Sequence, residues 1–140
     1  MRFMVIGKAT KETEAGVPPD PKMFEEVGKY NEELMKAGVL VAAEGLHPSS
    51  KGARVRFSGD KRTVIDGPFA ETKELIAGFW ILQTRSLEEA IEWVKRSPSC
   101  FGDEVEIEIR QVFEMTELDP AVSEERIERK NKLRAQYENA

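Results

Sequence analysis

The run from Ile76 to Thr84 is apolar on both of the faces a strand can present. Phe79 and Ile81 point one way, Trp80 and Leu82 the other, because successive side chains of a strand alternate. A sheet with one solvated face places polar residues at every second position instead. This strand therefore predicts cover on both sides, while helices of the same chain cover only one. The second cover is expected from the same face of a second copy, since a two-fold interface reuses one patch.

The elements around that strand follow in order. Phe3 to Ala9 is rich in β-formers and reads as the first strand; Lys11 to Pro19, with Gly16 and two prolines, reads as a loop. Asp20 is placed to cap a helix whose first residue is Pro21, where the missing N–H costs nothing. Phe24, Val27, Tyr30 or Asn31, Leu34 and Ala37 recur at helical spacing as far as Gly38, which predicts a helix over 21–37. Val39 to Ala43 is a second strand, closing at the Glu44 to Pro48 turn, and Ser49 to Gly52 reads as a flexible link. Arg54 to Phe57 and Thr63 to Ile65 flank Gly59-Asp60, a hairpin signal because glycine supplies the positive φ of a tight turn. Ser86 and Glu89 form a capping box ahead of Leu87, Ala90, Ile91 and Val94, a stripe stopped by Ser97-Pro98. Val105, Ile107 and Ile109 alternate with Glu106, Glu108 and Arg110 in a last strand ending near Phe113.

Strand, helix, strand, hairpin, strand, helix, strand is the order of a ferredoxin-like α+β sandwich. It implies a mainly antiparallel sheet with two helices on one face and an extra hairpin. Residues 1–114 would form this domain. Residues 115–140, capped at Asp119-Pro120 and carrying Glu125 and Arg129 at i, i+4, read as a C-terminal helical arm. Glu106, Glu108 and Arg110 on the second face of the last strand suit a partly polar cleft between two sheets. A homodimer with an inter-sheet pocket is thus expected.

Composition narrows the function classes. The formal net charge of −5 argues against a phosphate-reading surface, so no nucleic-acid partner is expected. Cys100 is the single cysteine and cannot form an intramolecular disulfide. One cysteine and one histidine make a poor zinc set, and no P-loop, dinucleotide fingerprint or His-Glu-x-x-His occurs. Neither metal nor organic cofactor is expected. The opening Arg2 to Ile6 run is too short for a signal segment, and no window approaches a membrane helix, so a cytoplasmic protein without membrane contact is the expectation.

The stretch Asp66-Gly67-Pro68-Phe69-Ala70-Glu71-Thr72-Lys73-Glu74 resembles the signature of the DGPF-domain proteins, part of the YCII-related group within the dimeric α/β-barrel proteins. Phe3 to Ile6, Glu44 to Pro48, Gly78 to Ile81 and Glu106 to Arg110 support the resemblance, which covers roughly residues 1–114. It implies a ferredoxin-like dimer with a cleft. Some YCII-like relatives act on small aromatic ring compounds, with a His–Asp pair proposed as their machinery; others are encoded beside, or fused to, alternative sigma factors. The histidine of that shorter branch resembles one early in the first helix. Here that helix offers Met23, Phe24, Glu25 and Glu26, and the single histidine is His47.

The candidate catalytic residues are His47, Asp66 and Glu71. His47 is the side chain suited to taking and giving a proton in neutral water. Asp66, at a strand end, could orient it, or could simply close an Asx-turn by accepting the N–H of Phe69 or Ala70. Glu71 would supply a second carboxylate, while Glu74 reads as solvated charge. Trp80, Arg110 and Lys73 are candidate substrate contacts: Trp80 as a pocket wall, Arg110 as a carboxylate binder unless Glu106 or Glu108 pairs it, and Lys73 at the cleft mouth. Cys100 has no recognisable base near it in sequence. The function expected is cofactor-independent proton transfer on a small molecule, an isomerisation or elimination. The alternative is a non-catalytic ligand-binding or accessory module linked to transcriptional regulation.

Overall fold

The computed structural model describes residues 1–102, 104–119 and 121–138. Strands β1 (Arg2–Lys8), β2 (Leu40–Gly45), β5 (Ile76–Gln83) and β6 (Ile107–Gln111) form one antiparallel sheet in the order β2-β5-β1-β6. Strands β3 (Ala53–Ser58) and β4 (Lys61–Asp66) form a separate hairpin. With helices α2 (Pro21–Lys36) and α3 (Leu87–Lys95), this is the ferredoxin-like α+β sandwich expected from the element order. The sheet is open, with β2 and β6 as its edges, so barrel closure is not a property of the single chain.

Register decides which side chains meet the helices. Phe3 and Val5 of β1 stand opposite Leu82 and Trp80 of β5, and opposite Gln111 and Ile109 of β6. Phe3, Val5, Leu34 and Leu82 are fully buried, and Val5, Leu34 and Leu82 form one cluster with Tyr30, Val39 and Trp80. Burying side chains of this size removes about 1.5–3 kcal/mol of unfavourable hydration each. The opposite face holds Met4, Phe79 and Ile81, all half-buried, beside an ion pair of Lys8 with Glu108 at 3.6 Å.

The helix ends follow their caps. The Asp20 carboxylate accepts the Lys22 N–H at 3.0 Å with Pro21 at the first position. Ser86 Oγ accepts the Glu89 N–H at 3.1 Å. The reciprocal half of the expected box is displaced by one residue, because the Glu89 carboxylate takes the Arg85 N–H at 3.2 Å. Ala90 is fully buried, but Leu87, expected on the inner stripe, is exposed at the start of α3. Ala37, also expected inward, is exposed where α2 ends.

Two segments expected to be irregular are ordered. Within 11–19, a short helix α1 (Lys11–Glu14) forms because Thr10 and Thr13 each accept the other's backbone N–H. Ser49–Lys51 is a 3₁₀ turn rather than a loose link, held to the α1 carboxylate of Glu14. Beyond β6, α4 (Met115–Leu118) and α5 (Glu124–Glu138) contain no buried residue among those described. Glu125 and Arg129 pair at 3.7 Å on α5. Asp119 caps the turn ahead of it by accepting the Ala121 N–H, while Pro120 lies outside the described residues.

Candidate functional site

The early turns of α2, the ends of β2 and β5, the 16–19 loop and the Cys100-Phe101 turn enclose a cavity of about 620 Å³. Trp80 anchors its inner wall. Its indole Nε1–H donates to Asn31 Oδ1 at 2.8 Å, which fixes the ring against α2. Tyr30 and Phe101 meet the same indole edge-on, at centroid separations of 5.8 and 5.9 Å, an arrangement favoured by the ring quadrupoles. The Tyr30 hydroxyl donates to the Trp93 carbonyl at 2.6 Å, joining α2 to α3 behind the wall.

Phe101 reaches this position because two paired glycines make room for it. Gly7 and Gly78 stand opposite each other on β1 and β5. A Cβ on Gly7 would overlap the Phe101 ring, and one on Gly78 would crowd both that ring and the Glu44 carbonyl. Met23, Phe24 and Val27 supply the wall on the α2 side, while Val17 and Leu46 stand at the rim. The polar side chains of the lining are those of Thr13, Asn31, His47 and Cys100, while Glu44, opposite Phe79 on β5, sends its carboxylate to the other face of the sheet; no lysine or arginine lines the cavity among the described residues. Burial pushes the Cys100 thiol up to about 11, so it stays protonated and is no nucleophile at neutral pH. Burial likewise pushes the Tyr30 hydroxyl up to about 12, against the lowering effect of nearby Arg96.

The signature stretch lies elsewhere and is a structural junction. The Ser49 hydroxyl donates to Glu14 Oε2 at 2.5 Å, and its N–H donates to Glu14 Oε1 at 3.0 Å. The same hydroxyl oxygen accepts the Phe69 N–H at 3.0 Å. The Asx-turn reading of Asp66 fails for this reason as far as Phe69 is concerned, since Ser49 has taken that N–H. The Gly67 N–H donates to the Gly52 carbonyl, and the Arg54 guanidinium lies 3.9 Å over the Phe69 ring. Asp66 itself is exposed at the end of β4.

Of the residues singled out from sequence, His47 and Trp80 line the cavity; Asp66, Glu71, Lys73 and Arg110 do not. Glu71 and Lys73 are exposed on the 3₁₀ turn Thr72–Glu74 and its cap. Arg110 projects from β6 on the face away from the helices, 4.0 Å from Glu108, the pairing that was the plainer expectation. Within one chain the catalytic grouping of His47 with Asp66 and Glu71 is not assembled around this cavity. The cavity also lies on the helix-covered side of the sheet, not on the face expected to form an inter-sheet cleft. Sequence reasoning missed Met23, Phe24, Glu44 and Phe101 as lining. The early turns of α2 contribute Met23 and Phe24. One available signal was the glycine in each of two neighbouring strands, a mark of close approach by another group.

Element order, sheet topology and a helix-covered apolar cavity define a small α+β protein with a ligand-sized pocket. Residues 1–116 match the model of the YCII-related domain, and the chain belongs to that family. An uncharacterised protein of Rhizobium meliloti (strain 1021) is 33% identical over 76 residues, 54% of this chain and 61% of the relative. The match thus spans less than two thirds of that relative's length. Among solved structures, a 5-chloro-2-hydroxyhydroquinone dehydrochlorinase from Burkholderia phenoliruptrix AC1100, in complex with 2,5-dihydroxybenzoquinone, is similar at 13% identity and a TM-score of 0.44. It covers 84% of this chain and 98% of its own. No helix of the described residues is long and apolar enough to cross a membrane.

Proposed function

We propose that this protein binds a small, uncharged organic molecule in the cavity beside Trp80 and moves a proton on it with His47. The observation that carries the reading is a cavity of about 620 Å³, within the range of small-molecule sites, walled by aromatic and aliphatic side chains and containing the chain's single histidine. The absence of lysine and arginine from the described lining disfavours a carboxylate or phosphate ligand, which would need a counter-charge. His47 would remove a proton from the bound molecule. It would return that proton at another atom in an isomerisation, or give it to solvent as a leaving group departs with the electron pair in an elimination. The reading includes a homodimer in which the half-buried Met4, Phe79 and Ile81 face meets its copy.

The test uses tryptophan fluorescence against a panel of uncharged aromatic compounds, followed by turnover assays on those that bind. His47→Gln should retain binding and lose a factor of about 10²–10⁴ in rate. Equal turnover by His47→Gln would end the proton-transfer reading. Binding with no turnover by the wild type would favour the second reading, a ligand-binding module. One feature favours that second reading: Asn31 Oδ1, a polar group of the lining, is already occupied by Trp80.

A further inference from the structure

No residue of the β3–β4 hairpin lines the cavity among the described residues, and the hairpin is held at its base, where Arg54 lies over the Phe69 ring and Gly52 accepts the Gly67 N–H. Every residue of both strands is exposed, including Phe57 at 72%, Val64 at 66% and Val55 at 55%. Val55 pairs with Val64, and Phe57 pairs with Arg62 two positions along, so the three apolar side chains share one face, with the Arg62 guanidinium 4.2 Å over the Phe57 ring. An isolated two-stranded hairpin is at best marginally stable in water, and a contiguous apolar face left in solvent marks a contact surface. The hairpin is also basic in an acidic chain. Residues 51–66 carry Lys51, Arg54, Arg56, Lys61 and Arg62 against Asp60 and Asp66, while the whole chain has a net charge of −5.

The mouth of the cavity has the complementary character. Its rim residues Val17, Phe24 and Leu46 are each at least half exposed. The stretches that frame it, residues 11–31 and 43–48, hold Glu12, Glu14, Asp20, Glu25, Glu26 and Glu44 against Lys11, Lys22 and Lys29, with Glu25 paired to Lys29 at 3.5 Å. Mouth and hairpin are neighbours along the chain, because Leu46, His47 and Pro48 line the cavity and the Ser49–Lys51 turn leads straight into β3. Two complementary patches side by side on one chain allow a two-fold exchange that closes, each arm reaching the other copy's mouth.

We infer that the β3–β4 hairpin is an arm that seats on a second copy of this chain, laying its Val55, Phe57 and Val64 face over the Val17, Phe24 and Leu46 rim of that copy's cavity. The seated arm covers both apolar surfaces, sets opposite charges against each other, and closes each cavity with residues from the other subunit. This goes beyond the dimer through the open sheet face and does not depend on the chemistry assigned to His47.

Sedimentation across a concentration series tests it on the full-length protein. The wild type should be a dimer, and Phe57→Asp should weaken dimerisation by at least about thirtyfold, with an unchanged far-ultraviolet spectrum. Arg56→Glu combined with Lys61→Glu serves as a second probe that leaves the apolar face intact, and it should weaken the dimer in a salt-dependent way. In a Cys100→Ala background, which removes the thiol that lines the cavity, mixing Phe57→Cys chains with Phe24→Cys chains and adding a short bis-maleimide should give a cross-linked pair that neither variant gives with the Cys100→Ala chain alone. A monomeric wild type, a dimer insensitive to both hairpin variants, or a mixture that fails to cross-link overturns the inference. Loss of dimerisation with ligand binding retained would separate this result from the cavity reading, which the fluorescence panel judges alone.

Discussion

Gly67 lies so close to the Ser49 carbonyl that a side chain at Gly67 would overlap the oxygen. The contact is backbone against backbone, so no rotamer change can relieve it. It joins the end of the hairpin to the 3₁₀ turn that Glu14 holds, and the Ser49 hydroxyl then accepts the Phe69 N–H. Gly67→Ala should therefore cost at least about 2 kcal/mol in a chemical denaturation series. Asp66→Asn, at an exposed carboxylate, should stay within about 0.5 kcal/mol of wild type. Equal stability for both variants would show that the junction can give way.

Ser49→Ala removes both hydroxyl contacts in one change, the acceptor of the Phe69 N–H and the donor to Glu14 Oε2. A loss of about 1–3 kcal/mol is expected, since a part-buried N–H is left without a partner. Glu14→Gln removes the charge and turns one of the two accepting oxygens into an NH2 donor, but it keeps an acceptor for the Ser49 N–H and leaves the Phe69 N–H its partner, and should cost less. Thermal melts of the two variants give the order; the reverse order would mean that the paired acceptors of Glu14, more than the Phe69 N–H bond, hold the turn.

Trp80→Phe keeps a ring in the cavity wall but deletes the N–H that Asn31 accepts. Stability should fall by about 1–3 kcal/mol, and the ligand that binds the wild type most tightly in the fluorescence panel should bind more weakly. A double-mutant cycle with Asn31→Leu should recover part of the loss, because neither polar group is then stranded. Additive losses would mean that the bond contributes little.

Stability should decline at high pH. Tyr30 is pushed from its ordinary 10.0 up to about 12 and Cys100 from 9.0 up to about 11, in both cases chiefly by burial. Each holds its proton longer in the folded chain than in the unfolded one. Their contribution is complete below about 9 and is lost as pH rises through 11 to 12, because the unfolded chain releases its protons first. Melting temperatures across that window should fall, and Tyr30→Phe or Cys100→Ala should each flatten the fall. A melting temperature level from pH 9 to 12 would contradict the burial of both groups.

Much of this architecture was legible from local rules. Asp20-Pro21, Ser86 and Gly59-Asp60 each sit where a cap or turn needs their particular chemistry, so element starts and the hairpin could be read residue by residue. Phe3, Val5, Leu34 and Leu82 obey the periods of strand and helix, and all are fully buried. What escaped local reading depended on neighbours distant in sequence. The order of Ser49 depends on Glu14, the place of Phe101 on Gly7 and Gly78, and the destination of the Phe69 N–H on Ser49.

The chain by itself determined its elements, their order and its family, because caps, turn glycines and hydrophobic periods act over a few residues. Only the tertiary structure decided that the family signature braces a junction while the cavity forms elsewhere, with none of residues 66–74 in its lining. Asp66 and His47 are both chemically plausible in isolation. Which of them faces a pocket depends on how α2, β2 and the Cys100-Phe101 turn pack together, and no period or spacing records that packing.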